Sequence, residues 1–170
     1  MRKADREIKD FEEIKELLDE CQTIRLAMHD EPYPYIVPLS YGWEERNRQI
    51  FIYFHCAKEG KKLDLITKNG NVCFEADCLA GYKSTGHGVT ADYRSLIAFG
   101  KAERVYGEEL VRGLELLLAH CHVEGYSARE CAAMNITAVV KITVESITGK
   151  ERFKHMERQV CHADKNKQTD

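Results

Sequence analysis

"YFHCAKEGKKLDLITKNGNVCFE", Tyr53 to Glu75, is the stretch from which the rest of the chain is best read. It opens as an apolar strand, breaks at His55, and passes through a short segment ending in Gly60-Lys61-Lys62. It then turns helical and returns to a strand. The helix is expected from about Lys58 to Asn69, with Gly70 as its C-terminal stop. A helix N-terminus presents unpaired backbone N–H groups and partial positive charge. It is therefore suited to an anion before any side chain is counted. Gly60, read as a first-turn residue, costs helix stability but leaves room for close approach. Lys61 and Lys62 add cations, and His55 at the strand end adds a hydrogen-bond donor. The residues alone allow two readings: a phosphate cradle, or a surface helix with exposed lysines and a half-buried histidine. The spacing is neither a Walker loop nor a GxGxxG turn.

Upstream, Asp10 with Glu13 starts a helix carrying Phe11, Ile14, Leu17 and Leu18 at helical spacing through Glu20. "TIRLAMHD" alternates as a strand, with Ile24, Leu26 and Met28 on one face. After the turn "EPYP", "YIVPLSYGW" reads as a second strand, and Pro38 within it demands an edge or bulge. "EERNRQ" is a polar hairpin loop and "IFIYFH" a third strand. Downstream, "NVCFEADC" is a fourth strand, and "LAGYKSTGHGVTAD", rich in Gly, Ser and Thr, is expected to be a loop. "YRSLIAFGKAERVY" is a fifth strand with a bend at Gly100. Leu110, Val111, Leu114, Leu117, Leu118 and Cys121 mark an amphipathic helix from about Glu108 to His122. Ser127 with Glu130 caps a short helix through Met134, and "TAVVKITVESITGK" is a sixth strand. Six strands joined mostly by hairpins predict a mainly β protein, a small antiparallel barrel with peripheral helices.

The 170 residues, 44% hydrophobic and 31% charged, favour one soluble domain with a real core. That domain is expected over residues 1–154. Apolar residues thin out after Lys150, so 155–170 reads as a loosely ordered C-terminal tail. A net charge of −3 gives no general attraction to nucleic acid or anionic lipid. No apolar run is long enough to span a bilayer, and "MRKADREIKDFEE" lacks the core of a secretory signal. The seven scattered cysteines, without a CxxC pair, are expected to be reduced thiols in a cytoplasm. No paired spacing for a zinc site is present. Neighbours on one helix point about 100° apart, which argues against His120-Cys121-His122 and Cys161-His162 as ligand sets, so no metal is expected.

The order "TIRLAM", "PYIVPLSYGW", "IYFHCAKEGKKLDLITKN", "VCFEAD", "YRSLIAFGKAERV" and "ITGK" resembles the pyridoxamine 5′-phosphate oxidase-like, FMN-binding split-barrel superfamily. Its nitroimidazole-resistance branch is the nearest likeness, and the resemblance spans roughly Arg2 to Lys154. It implies a six-stranded antiparallel split β-barrel that dimerises, with flavins (FMN, or FAD) in grooves at the subunit interface. It places Val37, Pro38, Leu39 and Ser40 along the isoalloxazine ring. Tyr53, His55, Cys56, Lys61 and Lys62 would hold the phosphate, with Lys62 the better match for the phosphate lysine. Arg94 and Ser95 would approach the cofactor, in one version from the other subunit. His55 carries a second implied role, in the chemistry itself.

The chain departs from the family pattern in two ways. Cys56 stands where relatives carry a small residue or serine, and it reads either as an inert substitution or as a reactive thiol beside lysines. The Arg-x-His substrate element of true pyridoxamine phosphate oxidases is missing; "FKHMERQ" does not supply it. The resemblance therefore points to a homodimeric oxidoreductase passing electrons from a transiently bound NAD(P)H to a small acceptor, such as a nitro-aromatic or quinone. A flavin store or sensor is the alternative. So is a haem protein on the same barrel, with His87 or His162 as axial ligand. Tyr41 and Trp43 read as flavin-stacking or packing residues, and His87 as cofactor-facing or solvent-exposed.

Overall fold

The computed structural model describes residues 3–130 and 132–153; the expected tail lies outside the described residues. Its elements run β1 (Glu7–Ile8), α1 (Phe11–Glu20), β2 (Ile24–Met28), β3 (Tyr35–Leu39), β4 (Gly42–Arg46), β5 (Gln49–Ala57) and α2 (Lys61–Lys68). Then follow β6 (Asn71–Thr85), β7 (Gly88–Val105), α3 (Gly107–His120), two 3-10 turns at Ala128–Glu130 and Ala132–Asn135, and β8 (Thr137–Glu151). The sheet order is β3-β2-β6-β7-β8-β5-β4, with β1 added to β8. Every pairing is antiparallel. Inward residues from strands far apart in that order, such as Ile24 and Leu26 of β2 and Ile52 and Phe54 of β5, share one buried cluster. The sheet must therefore curl on itself, and it forms the split barrel, open between its β3 and β4 ends.

Sequence pattern accounts for most of this. Ile24, Leu26 and Met28 are buried on one face of β2, as their alternation requires. Asp10 caps α1 by accepting the Glu12 N–H at 3.0 Å. The helix then buries Ile14, Leu17 and Leu18. Each such leucine contributes about 1.5–3 kcal/mol by leaving water. β3 pairs only with β2, so Pro38 sits on an edge strand, where its missing N–H is tolerated. The β7 ladder shifts register between Phe99 and Gly100, where the bend was expected.

Three expectations need correction. "YIVPLSYGW" is two strands, which raises the strand count from six to eight together with the short β1. Between the two, Tyr41 turns inward, fully buried, and donates its hydroxyl to the Leu18 carbonyl at 2.6 Å. That inward turn sends β3 and β4 to opposite ends of the sheet. "LAGYKSTGHGVTAD" is not a loop. β6 and β7 continue as a ladder from Asn71–Lys101 out to Thr85–Gly88, with a bulge between Leu79 and Gly81. Cross-strand pairing and the Lys83–Asp92 ion pair override the weak local propensity. Finally, α2 begins at Lys61 and ends at Lys68, shorter than expected at its N-terminal end.

The two outer faces of the barrel differ. α3 covers β4, β5 and part of β8, burying Tyr53, Val105 and Val139 in a second cluster. Gly113 permits this approach, since a Cβ there would lie 2.7 Å from the Tyr53 ring. On the other outer face, Ile36, Ala27, Cys73 and Phe99 are register partners in one row across β3, β2, β6 and β7. Ile36 and Phe99 are 57% and 53% exposed, and Ile97 in the next row is 46% exposed. This apolar row stays open to solvent, flanked on the same face by the Arg25–Glu75 and Arg25–Asp77 ion pairs.

Candidate functional site

The split in the barrel is bounded by two strand edges. β4 pairs with β5 only as far as Tyr53, so Phe54 to Ala57 have β8 on one side and a free edge on the other. β3 presents the other free edge. The first turn of α2 bridges them. Lys61 Nζ lies 2.6 Å from Asp30 Oδ2, at the end of β2, and 4.9 Å from the Tyr35 ring centroid on β3. Lys62 Nζ lies 5.4 Å from the Phe54 ring centroid on β5. Gly60 is the N-cap, with φ 131° and no side chain to cap the helix. That φ is one that residues with a Cβ rarely adopt. Nothing lies within 4 Å of where a Cβ would stand. The glycine thus costs α2 little, and it leaves the Lys61 and Lys62 N–H groups uncapped beside an open space, while the Leu63 N–H donates to the Gly60 carbonyl at 2.9 Å. That donor set suits a phosphate.

Strand alternation sorts the neighbouring residues. Phe54 and Cys56 face the core, whereas His55 is exposed on the opposite face. Burial pushes the Cys56 thiol above its ordinary value, although Lys62 and Arg104 pull the other way. The inert reading of Cys56 is the one this environment favours. Arg104 was missed in the sequence. It stands in the β7 row shared with Val140 and Phe54, with its guanidinium 5.2 Å from the Tyr106 ring centroid. Its Nε is buried and has no hydrogen-bond partner among the described residues. Only the β5–β8–β7 register brings it to Cys56 and Lys62, so local pattern carried no signal for it.

A family model described as pyridoxamine 5′-phosphate oxidase matches residues 10–151, from the α1 cap to the end of β8. The chain belongs to the pyridoxamine 5′-phosphate oxidase family. No curated protein matches it. Among solved structures, it is similar to a candidate 5-nitroimidazole antibiotic resistance protein from Bacteroides thetaiotaomicron, at 25% identity and TM-score 0.73, covering 85% of each chain. It also shares its fold with a flavocytochrome from Azotobacter vinelandii, at 18% identity and TM-score 0.70, covering 94% of this chain and 75% of that one. A FAD-binding protein from Mesorhizobium loti matches at 21% identity and TM-score 0.62, covering 87% and 98%.

Against that family frame, the expected site residues fall into three groups. Cys56, Lys61 and Lys62 gather at the split, whereas the exposed His55 side chain is on the opposite face of β5, the one that carries Tyr53. On β3, Val37 and Leu39 pack against the core while Pro38 and the following Ser40 are exposed. Their side chains therefore cannot all line one flat ring, and the shared feature they offer is the free backbone edge. Tyr53 is committed elsewhere. It lies beneath α3, and its hydroxyl meets Arg46 at 2.6 Å, Glu44 at 3.1 Å and Glu109 at 3.3 Å. Alternation puts it on the helix-covered face, two residues before His55 emerges.

Arg94 and Ser95 form the third group, ten residues along β7 from Arg104, roughly 30 Å on an extended strand. Arg94 grips Glu20 of α1 with 2.7 Å to each carboxylate oxygen and also reaches the Glu13 carbonyl at 3.2 Å. Ser95 shares the outer face with Ile97 and Phe99. Neither joins the site within one chain.

The remaining candidates resolve as packing or surface. Tyr41 is core, and Trp43 donates to Asp19 at 2.8 Å. His87 is exposed at the tip joining β6 to β7, and His162 lies outside the described residues. His120 bonds the Cys21 carbonyl at 2.9 Å and packs on Tyr41. Among the described residues, no group of three or more His, Cys, Asp or Glu side chains gathers to hold a metal. Nor, among them, is any helix long and apolar enough to cross a membrane.

Proposed function

We propose that the chain binds FMN, or FAD through the same phosphate and ring, and acts as a cytoplasmic oxidoreductase passing electrons from NAD(P)H to a small acceptor such as a nitro-aromatic or a quinone. The observation that carries this reading is the uncapped first turn of α2, with Gly60, Lys61 and Lys62, set across the barrel split. Family membership and the likeness to a candidate nitroimidazole-resistance protein support it. When bound, the flavin supplies hydride and electron transfer. The chain's own residues do the holding. Lys62 and the N–H groups of α2 neutralise the phosphate, and His55 adds a donor at the strand end. The free edge of β3 around Val37 to Ser40 offers backbone groups to the ring. Lys61 is half spent on Asp30, so it orders the turn more than it binds.

The proposal includes a homodimer. The exposed apolar row of Ile36, Ala27, Cys73 and Phe99 supports burial against a second copy. Of the β7 pair, Ser95 on that outer face is the residue open to a partner's flavin, because Arg94 is held by α1. The test is NAD(P)H oxidation by the flavin-loaded protein with a nitro-aromatic acceptor, compared with free FMN at equal concentration. Turnover above free FMN supports the enzyme. Tight flavin without turnover replaces it with storage or sensing.

A further inference from the structure

The C-terminal end of α1 is joined to the barrel by two adjacent contacts on one rung of the β6–β7 ladder. Glu20, its last residue, accepts from Arg94 of β7. Cys21, the C-cap, lies with its Sγ 3.3 Å from the Sγ of Cys78 on β6. Cys78 and Arg94 are direct cross-strand partners. Both cysteines are free thiols, Cys21 buried and Cys78 half-buried. They are 57 residues apart in sequence, so the fold alone brings them together. We propose that Cys21 and Cys78 are a redox-modification site, closing to a reversible disulfide that locks α1 onto the barrel when the protein meets a peroxide.

The two sulfurs stand in different surroundings. The Sγ–Sγ hydrogen bond with Cys21, aided by Arg94, holds the Cys78 thiol below its ordinary value against burial and the carboxylates of Glu20 and Asp77. The same contact and burial push Cys21 up. Cys78, the more exposed of the two sulfurs, is the one a peroxide reaches, and it attacks as the thiolate. Its sulfur bonds one peroxide oxygen as the O–O bond breaks, and the leaving hydroxide takes up a proton as water. The product is a sulfenic acid on Cys78. Cys21 then gives up its proton as its sulfur attacks that of Cys78. The S–S bond forms, the S–O bond breaks, and hydroxide leaves with the Cys21 proton as a second water. Two electrons leave the sulfur pair and two reduce the peroxide. The gap to close, from 3.3 Å to a bonded distance, is about 1.2 Å. None of this requires a bound flavin.

The test uses the full-length chain, reduced, freed of reductant and treated with hydrogen peroxide. Digestion without reductant and mass spectrometry is expected to yield a Cys21–Cys78 linked peptide as the main oxidation product. Thermal unfolding is expected to shift upward by roughly 5–15 °C, because the crosslink restricts the unfolded chain. Dithiothreitol should reverse both. Cys21→Ser should strand Cys78 as a sulfenic acid that dimedone traps, with no upward shift. The wild-type peptide map stands even if that variant folds poorly. Unmodified thiols after peroxide, sulfinic acid on Cys78 without the link, or links among other cysteines would each overturn the proposal.

Discussion

Phe54 and His55, adjacent on β5, face opposite ways: Phe54 is fully buried and His55 is exposed beyond the cover of α3. A pleated strand allows nothing else once Phe54 is in the core. His55 thus ends β5 on the face away from the Phe54 ring that Lys62 overlies. We expect His55→Gln to keep flavin and most NAD(P)H-driven acceptor reduction, because glutamine retains a donor but cannot act as an acid near neutrality. A variant that stays fully yellow but loses turnover would move His55 from holding the phosphate to the chemistry.

Lys61 and Lys62 should contribute unequally. Among the described residues Lys62 lies over the Phe54 ring and near the Cys56 thiol with no ion-pair partner, whereas the Lys61 ammonium is held by Asp30, whose carboxyl it draws below the usual value. Lys62→Ala is expected to weaken FMN binding by about 1.5–3 kcal/mol, roughly 10- to 150-fold. Lys61→Ala should cost less than about tenfold, since its charge is already partly spent. Titration of the flavin-free protein with FMN measures both. Equal losses, or none for Lys62, would place the phosphate elsewhere.

How legible was this site in the sequence? The strand–glycine–lysine–helix junction was readable because each part is local chemistry: an apolar run, a breaker, two cations. The alternation that buries Phe54 and frees His55 was readable for the same reason. What was not legible depends on pairing between distant strands. The role of Gly60 as an N-cap, rather than a first-turn residue, follows from where α2 meets Asp30 and Tyr35. Arg104 reaches the site only through the β5–β8–β7 register. Tyr53 was drawn into the cradle because its motif sits there, yet α3, from far along the chain, claims its face. The β6–β7 hairpin was hidden because its glycines and serines imitate a loop until the opposite strand supplies the ladder.

The exposed row of Ile36, Ala27, Cys73 and Phe99 makes a prediction about assembly. Phe99→Asp puts a charge on the large exposed side chain at its β7 end and should weaken self-association by about 2 kcal/mol or more. Light scattering across a dilution series is expected to show the wild type as a dimer and the variant shifted toward monomer. A variant that stays dimeric at every concentration would mean that this face is not the interface.

Glu44 gives a pH signature. Burial pushes its carboxyl up, but Arg112, Arg46 and Tyr53 outweigh burial and hold it below its ordinary value of 4.5. A carboxylate lowered in the folded state adds stability that is fully present above its unfolded value and fades as pH falls through the folded one. Both arginines are about half exposed, at 48% and 59%, so the expected cost of Glu44→Gln near neutrality is only about 1 kcal/mol. Urea midpoints for the wild type and the variant should differ at pH 7 and converge as pH drops below 4.5. A gap that widens in acid would contradict the sign.

The central claim is that the α2 turn across the split holds a flavin phosphate. The most direct measurement is the absorbance spectrum and mass of the small molecule that co-purifies with the full-length protein, with added FMN if it emerges empty. The account predicts a yellow protein with a flavin spectrum, one FMN per chain, and a lower FMN content on Lys62→Ala. A colourless protein that takes up no FMN, or one that carries a haem spectrum in place of flavin, would contradict it.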